Sequence, residues 1–207
     1  MTSLLQRFWL LVLLVLFPVL GQAEELSVGF HYDLIKPPVE MSGSKPEIYE
    51  VFNFQCPHCD HLAPIFDKWS QKNKDRFVIK HLPIYWGKQT DTPVRAFFTA
   101  EFMGKGEEMR TALFKSHFRD KGNIESRDTM VKLAQEIGLD ANQFAANMDS
   151  FGVMGKLAQA RTLAKAFGVN STPMVVVNGK FRVNSEHGSG SWDKMLEIVE
   201  TLAVKNP

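Results

Sequence analysis

"NFQCPHCDHLAP", residues 53–64, holds the only two cysteines of a 207-residue chain. Pro57 and His58 stand between Cys56 and Cys59, and His61 follows two residues on. Such a pair serves redox exchange, metal binding, a structural staple or a haem tether, and its surroundings narrow the choice. Ahead of it, "EIYEVFNF" (47–54) alternates and is rich in aromatic and β-branched residues, the signature of a strand. Pro57 suits the first position of a helix, where its missing N–H has no intrahelical partner to lose. "LAPIFDKWSQKN" continues that helix, with Pro64 expected to kink it. "RFVIKHLPI" (76–84) reads as a second strand. Strand, helix and strand in so short a span predict a βαβ unit with parallel strands.

Beyond it the pattern turns helical. From Pro93 to about Phe167 come "VRAFFTAEFM", "EEMRTALFKSHF", "RDTMVKLAQEIG", "ANQFAANM" and "VMGKLAQARTLAKAF". Gly104, Gly122, Gly138 and Gly152 mark expected helix ends, and Asp140 with Gln143 resembles a capping box. "TPMVVVNGKFRVN" (172–184) predicts a hairpin turning at Asn178-Gly179, a strong type I′ signal. An amphipathic helix from Ser191 closes the chain, and the stretch before residue 47 reads as irregular. The order β-α-β, helical block, β-β-α permits both ends to share one sheet with the block inserted between them.

The N-terminus assigns a compartment. Arg7 is the only charge before Glu24, and the apolar run from Phe8 to Leu20 is short of the roughly 20 residues of a membrane span. With small Gly21 and Ala23 at the −3 and −1 positions it reads as a signal peptide over residues 1–23, cleaved after Ala23. The remainder suffices for one well-buried domain with an insertion. Overall 24 basic residues face 23 acidic ones, and Arg7 leaves with the leader, so the exported chain is balanced. No basic run points to nucleic acid or a membrane surface. Export places both thiols where disulfides form and persist.

At a helix start, Cys56 falls at the N-cap and Cys59 one turn later. Unpaired N–H groups and the positive end of the helix dipole then point at the Cys56 sulfur and favour its thiolate; His58, when protonated, adds to this. Cys56 is the expected nucleophile and Cys59 the buried resolving thiol. Stabilising the thiolate stabilises the reduced protein, which makes the disulfide a stronger oxidant. The other chemistries fit less well. No second C-x-x-C or paired histidine motif completes a zinc tetrahedron around Cys56, Cys59, His58 and His61. A haem tether needs histidine directly after the second cysteine, where Asp60 stands. A disulfide closing so short a loop removes little chain entropy.

With "YEVFNFQCPHC", "GVNSTPMVVVNGKF" and the helical block in place, the chain resembles the DsbA-type thiol:disulfide oxidoreductases of the thioredoxin superfamily over nearly all of its exported length. The resemblance implies an α/β thioredoxin-like fold, built from residues 24–90 and 168–207, with an all-helical insertion over 91–167. It implies a redox couple of Cys56 and Cys59 flanked by Pro57 and His58, with a lowered nucleophile pKa and an oxidising potential that are themselves standing properties of this family. It makes Pro173 a cis-proline facing the couple, with Thr172 offering backbone groups to an extended substrate segment. Glu50 and Lys80 match charged positions beneath the family's site; both sit in apolar strands, where a charge needs a partner, and Glu50 is a candidate relay for the Cys59 proton. His31, His81, His117 and His187 are scattered and read as core or solvated residues. The implied activity needs no cofactor. The implied partners are unfolded exported proteins with free cysteines and a DsbB-type membrane quinone reductase, the protein acting as a periplasmic monomer. Thr172 occupies a position where the best-known members have valine. Threonine there, like Pro64, leaves a disulfide isomerase or reductase on the same fold as the alternative, ahead of a metal-binding C-x-x-C module.

Overall fold

The computed structural model describes residues 25–205, so the leader expected over residues 1–23 lies outside the described residues. Five strands form one sheet: β1 (Asp33–Leu34), β2 (Glu47–Phe52), β3 (Val78–Pro83), β4 (Met174–Val177) and β5 (Phe181–Val183), in the order β1-β5-β4-β2-β3. β2 and β3 run parallel, joined by helix α1 (Pro57–Asn73), and the other pairings are antiparallel. The two ends of the chain thus share one sheet, as a thioredoxin-like fold requires. Between β3 and β4 every described element is a helix: α2 (Thr92–Phe102), α3 (Gly106–Phe118), α4 (Arg127–Glu136), α5 (Ala141–Asn147) and α6 (Phe151–Ala166). α7 (Trp192–Lys205) closes the chain.

The local signals act as chemistry dictates. The Asp140 carboxylate accepts from the Gln143 N–H at 2.7 Å and caps α5, and the Ser150 hydroxyl does the same for Val153 at the start of α6. Asn178 and Gly179 both adopt positive φ, the I′ geometry that matches strand twist. Gly179 has a second reason to be glycine: a Cβ there would stand 2.2 Å from the carbonyl oxygen of Val39, whose N–H donates to the Gly179 carbonyl. That segment is less irregular than its sequence suggests. Asp33–Leu34 pairs with β5, and Ile35 and Val39 donate backbone hydrogen bonds to Lys180 and Gly179. Gly104 and Gly138 end helices, but Gly152 lies inside the first turn of α6, where the Phe102 ring packs against it. α1 runs on through Pro64.

Each face of the sheet has its own cover. Ile48, Val175 and Val177 pack against Leu62 and Phe66 of α1 and Leu196 and Val199 of α7. Tyr49, Val51 and Val176 share a second cluster with Phe97, Leu113, Phe144 and Leu157. That second cluster is continuous from the sheet through the inserted helices and includes Cys59. The insertion is therefore seated on the redox module by core packing, and its position is fixed relative to the cysteines.

Candidate active site

β2 ends at Phe52, the chain turns over Asn53–Gln55, and α1 begins at Pro57, which puts Cys56 at the N-cap in extended conformation (φ −92, ψ 117). The Cys56 carbonyl accepts from the N–H groups of Cys59 and Asp60 at 3.1 and 3.2 Å. Its sulfur is left facing the helix start. The Cys59 thiol donating to Cys56 is the largest influence and lowers its pKa; partial burial opposes this, and the Cys59 backbone N–H, the Thr172 side chain and the His58 backbone N–H lower it further, to about 5. Cys59 is buried, and burial followed by the neighbouring Cys56 sulfur pushes its pKa far up. One sulfur is a thiolate at neutral pH and the other keeps its proton. Pro57 and His58 are exposed beside them, and His58 acts on Cys56 through its backbone N–H.

The Thr172–Pro173 peptide is cis, and in its thiol form Cys56 donates to the Thr172 carbonyl at 3.4 Å. Thr172 therefore touches the nucleophile twice, through its carbonyl and its side chain. Thr172→Val removes the hydroxyl at nearly constant volume. We expect a higher Cys56 pKa and a less oxidising couple, by about 1.5 kcal/mol for one hydrogen bond to a charged group, or about 30 mV. Thiolate absorbance against pH and a glutathione equilibrium read the two effects, and an unchanged pKa would leave the helix start and Cys59 as the whole cause.

Side chains missed in the sequence brace the turn. The Asn53 amide donates to the Ile84 carbonyl (3.1 Å) and to Gln89 (2.7 Å); Gln89 donates to Gln55 (2.8 Å), and Gln55 to the Glu125 carboxylate (3.0 Å). Asp60, next to Cys59, takes both ends of the Arg119 guanidinium at 2.7 and 3.0 Å. Glu125 and Arg119 belong to the insertion, so its docking and the geometry of residues 53–60 are linked. Residues 55, 89 and 125 are far apart in sequence and carry no motif, so only the fold brings them together.

Glu50 and Lys80 do not meet. The parallel register sets Glu50 opposite His81 and Tyr49 opposite Lys80, on opposite faces of the sheet. Lys80 is half-exposed and bonds Glu47 (2.6 Å) and the Tyr49 hydroxyl (3.2 Å). Glu50 is fully buried, 2.7 Å from His81 Nδ1 and 3.5 Å from Arg110 of α3. His81 Nε2 faces Glu107 at 2.8 Å, while Arg110 also holds Asp67 and, at 3.2 Å, Glu107. Burial would push the His81 imidazole down, but its bonds to Glu107 and Glu50 outweigh this and raise it to about 9. Both ring nitrogens face carboxylates, so both carry protons. His81, read as a scattered core histidine in the sequence, is thus the partner of Glu50 that Lys80 is not. Asp67, His81 and Glu107 have the mutual spacing of metal ligands, yet the Arg110 guanidinium already contacts both carboxylates of that set, so its cation is part of the chain.

A thiolate at a helix start, a protonated partner one turn on, and a cis-prolyl loop across the nucleophile define a thiol:disulfide oxidoreductase on a thioredoxin fold. Residues 47–200 match the family model described as "DSBA-like thioredoxin domain", and the chain belongs to that family. Among curated proteins it is 28% identical over 197 residues to the thiol:disulfide interchange protein DsbA of Pseudomonas aeruginosa, covering 95% of this chain and 93% of that one. It is 29% identical to the protein of the same name from Pseudomonas syringae, covering 81% and 78%. The crystal structure of Pseudomonas aeruginosa DsbA superimposes with a TM-score of 0.81 at 28% identity, over 88% of this chain and 95% of that one.

Proposed function

We propose that the oxidised Cys56–Cys59 couple transfers its disulfide to pairs of thiols in exported polypeptides, in the periplasm after removal of the leader. The single observation that carries this reading is the placement of the two sulfurs: Cys56 at the helix N-cap against the Thr172 loop, its pKa lowered to about 5, and Cys59 buried one turn on, its pKa raised. A substrate thiolate attacks the Cys56 sulfur, the Cys56–Cys59 bond breaks, and Cys59 leaves and takes up a proton. A second substrate thiolate then attacks the substrate sulfur of the mixed disulfide and expels Cys56 as the stabilised thiolate. Two electrons have passed to the protein, and the substrate holds the new disulfide. Thr172 and Pro173 line the side of Cys56 from which the substrate enters, and Pro57 and His58 form the exposed lip. Glu50, engaged by two cations, serves as a structural anion beneath α1. Returning the dithiol to the disulfide needs an electron acceptor, for which a DsbB-type membrane quinone reductase is the partner.

The test is the equilibrium potential against glutathione. We expect a couple well above the roughly −270 mV of thioredoxin, towards the oxidising end of the superfamily. A value at or below that of thioredoxin overturns the oxidase reading and favours the reductase alternative that Thr172 left open. A couple near that of protein disulfide isomerase, about −180 mV, together with faster repair of scrambled disulfides than oxidation of reduced ones, favours an isomerase.

A further inference from the structure

Between the loop after β3 and helix α6 lies a cleft of about 480 Å³. Ile84 and Val169 form part of its floor, Tyr85 and Trp86 its aromatic wall, and Arg161 and Lys165 its rim. Both sides are tied to the redox site. The Ile84 N–H donates to the Phe52 carbonyl at 2.8 Å, and the Ile84 carbonyl accepts from Asn53, whose own carbonyl takes the Cys56 N–H. The Trp86 N–H donates to the Gln89 side chain at 2.8 Å, which bonds Gln55, the residue before Cys56. On the other side Val169 stands three residues before Thr172. An extended chain advances about 3.3 Å per residue, so a polypeptide leaving the gap between Cys56 and Thr172 reaches Val169 within about three residues.

The rim has one sign. α6 carries Lys156, Arg161 and Lys165 and no acidic residue. Lys156 pairs with Glu101, but among the described residues neither Arg161 nor Lys165 makes an ion pair. Arg161 lies over the Tyr85 ring at 6.0 Å, a contact that leaves its N–H donors available. Trp86 is 40% exposed. An ordinary solvated helix face mixes its charges; this one sets two unpaired cations beside apolar surface, a half-buried Tyr85 ring and the exposed Trp86 ring. Such a site suits a chain segment bearing an apolar side chain and a carboxylate.

We propose that this cleft is a substrate-selection subsite. It receives the segment flanking the reacting cysteine of an exported polypeptide, and favours an apolar residue with an adjacent carboxylate about three positions from that cysteine. The inference rests on the oxidase reading above. Its test uses single-cysteine peptides carrying Leu-Glu or Leu-Lys three residues before or after the cysteine. The rate of mixed-disulfide formation with the oxidised protein is measured per substrate thiolate, with dithiothreitol oxidation alongside.

On one flank the Leu-Glu peptide is expected to react about fivefold faster than the Leu-Lys peptide, the effect of one partly exposed ion pair. The preference should shrink with added salt and be lost or turn in favour of Leu-Lys in the double variant Arg161→Glu, Lys165→Glu. Dithiothreitol oxidation should be the same in both proteins. Equal rates for the peptides on both flanks overturn the subsite, as does a preference that survives the double charge reversal. Failure of the unmodified protein to oxidise dithiothreitol instead overturns the oxidase reading itself.

Discussion

Replacing Cys56 by serine is expected to abolish thiol oxidation outright, whereas Cys59→Ser is expected to give a protein that reacts once with a small disulfide and then stalls as a stable mixed disulfide. The difference follows from the two environments. Cys56 holds the stabilised thiolate at the exposed helix start, so it alone can be attacked by substrate or attack in return. Cys59 is buried and keeps its proton; it is the leaving group when substrate attacks Cys56, and it displaces the partner from Cys56 when the reduced protein has attacked a disulfide. The Cys59 thiol is also the largest single influence lowering the Cys56 pKa. Cys59→Ser retains a donor and should leave a low Cys56 pKa, while Cys59→Ala removes the donor and should raise it. In reduced protein, thiolate absorbance near 240 nm should persist as pH falls from neutrality and disappear around pH 5.

The sign is that of a depressed pKa. The stabilisation is complete above the ordinary thiol pKa and is lost as pH falls through about 5. At neutral pH a shift of that size, discounted for the partial exposure of the sulfur, favours the dithiol by on the order of 2 kcal/mol, or about 40 mV. A Cys56 midpoint near that of free cysteine would remove the driving force assigned to the couple.

The placement of the two cysteines at a helix start was legible in the sequence because its determinants are local. Pro57 at the first helical position, cysteines one turn apart and a preceding strand need no distant residue to place the nucleophile at a helix start. The Asn178-Gly179 turn and the Asp140 cap were legible for the same reason. β1 was not, because two residues show no alternation and its pairing is with a hairpin far along the chain. The charges beneath the sheet show a subtler limit. Lys80 and His81 are neighbours, and a one-residue change in a strand exchanges its faces. The sequence marks a charge in an apolar strand, but the β2–β3 register decides which side chain meets Glu50. Arg110 and Glu107 come from a helix of the insertion, so their meeting with Glu50 depends on how that insertion docks. The His58 backbone N–H lowers the Cys56 pKa, a contribution that any residue but proline would supply and that no motif advertises.

Arg110→Ala is expected to be the most destabilising of the charge substitutions, at about 3–5 kcal/mol, because it leaves buried carboxylate charge short of its partner. Arg110 and Glu50 are each only 1% exposed at their side chains, and the one guanidinium serves Glu50, Asp67 and Glu107 together. Arg110→Lys keeps the charge but loses the planar fork, and should recover only part of the loss. Lys80→Ala is the contrast on the opposite face: Lys80 is itself half-exposed and its buried partner Glu47 keeps the Tyr49 hydroxyl as a donor, so the loss should be smaller than that of Arg110→Ala. His81 adds a pH signature. Its pKa is raised from the model-compound 6.5 to about 9, so its contribution is complete below pH 6.5 and is lost as pH rises through about 9. A shift of that size corresponds to about 3 kcal/mol.

Tyrosines and lysines also titrate towards alkaline pH, so the quantity to measure is the difference in urea unfolding free energy between the unmodified protein and His81→Gln, followed from neutral to alkaline pH. That difference should be largest at neutral pH and shrink once the imidazole loses its proton. Because Glu107 and Arg110 both sit on α3, the same loss should loosen the insertion against the sheet, and hydrogen exchange in α3 should accelerate over the same pH range. A difference that stays constant across the range would show that His81 is neutral in the folded protein, and would leave Arg110 as the sole cation facing Glu50.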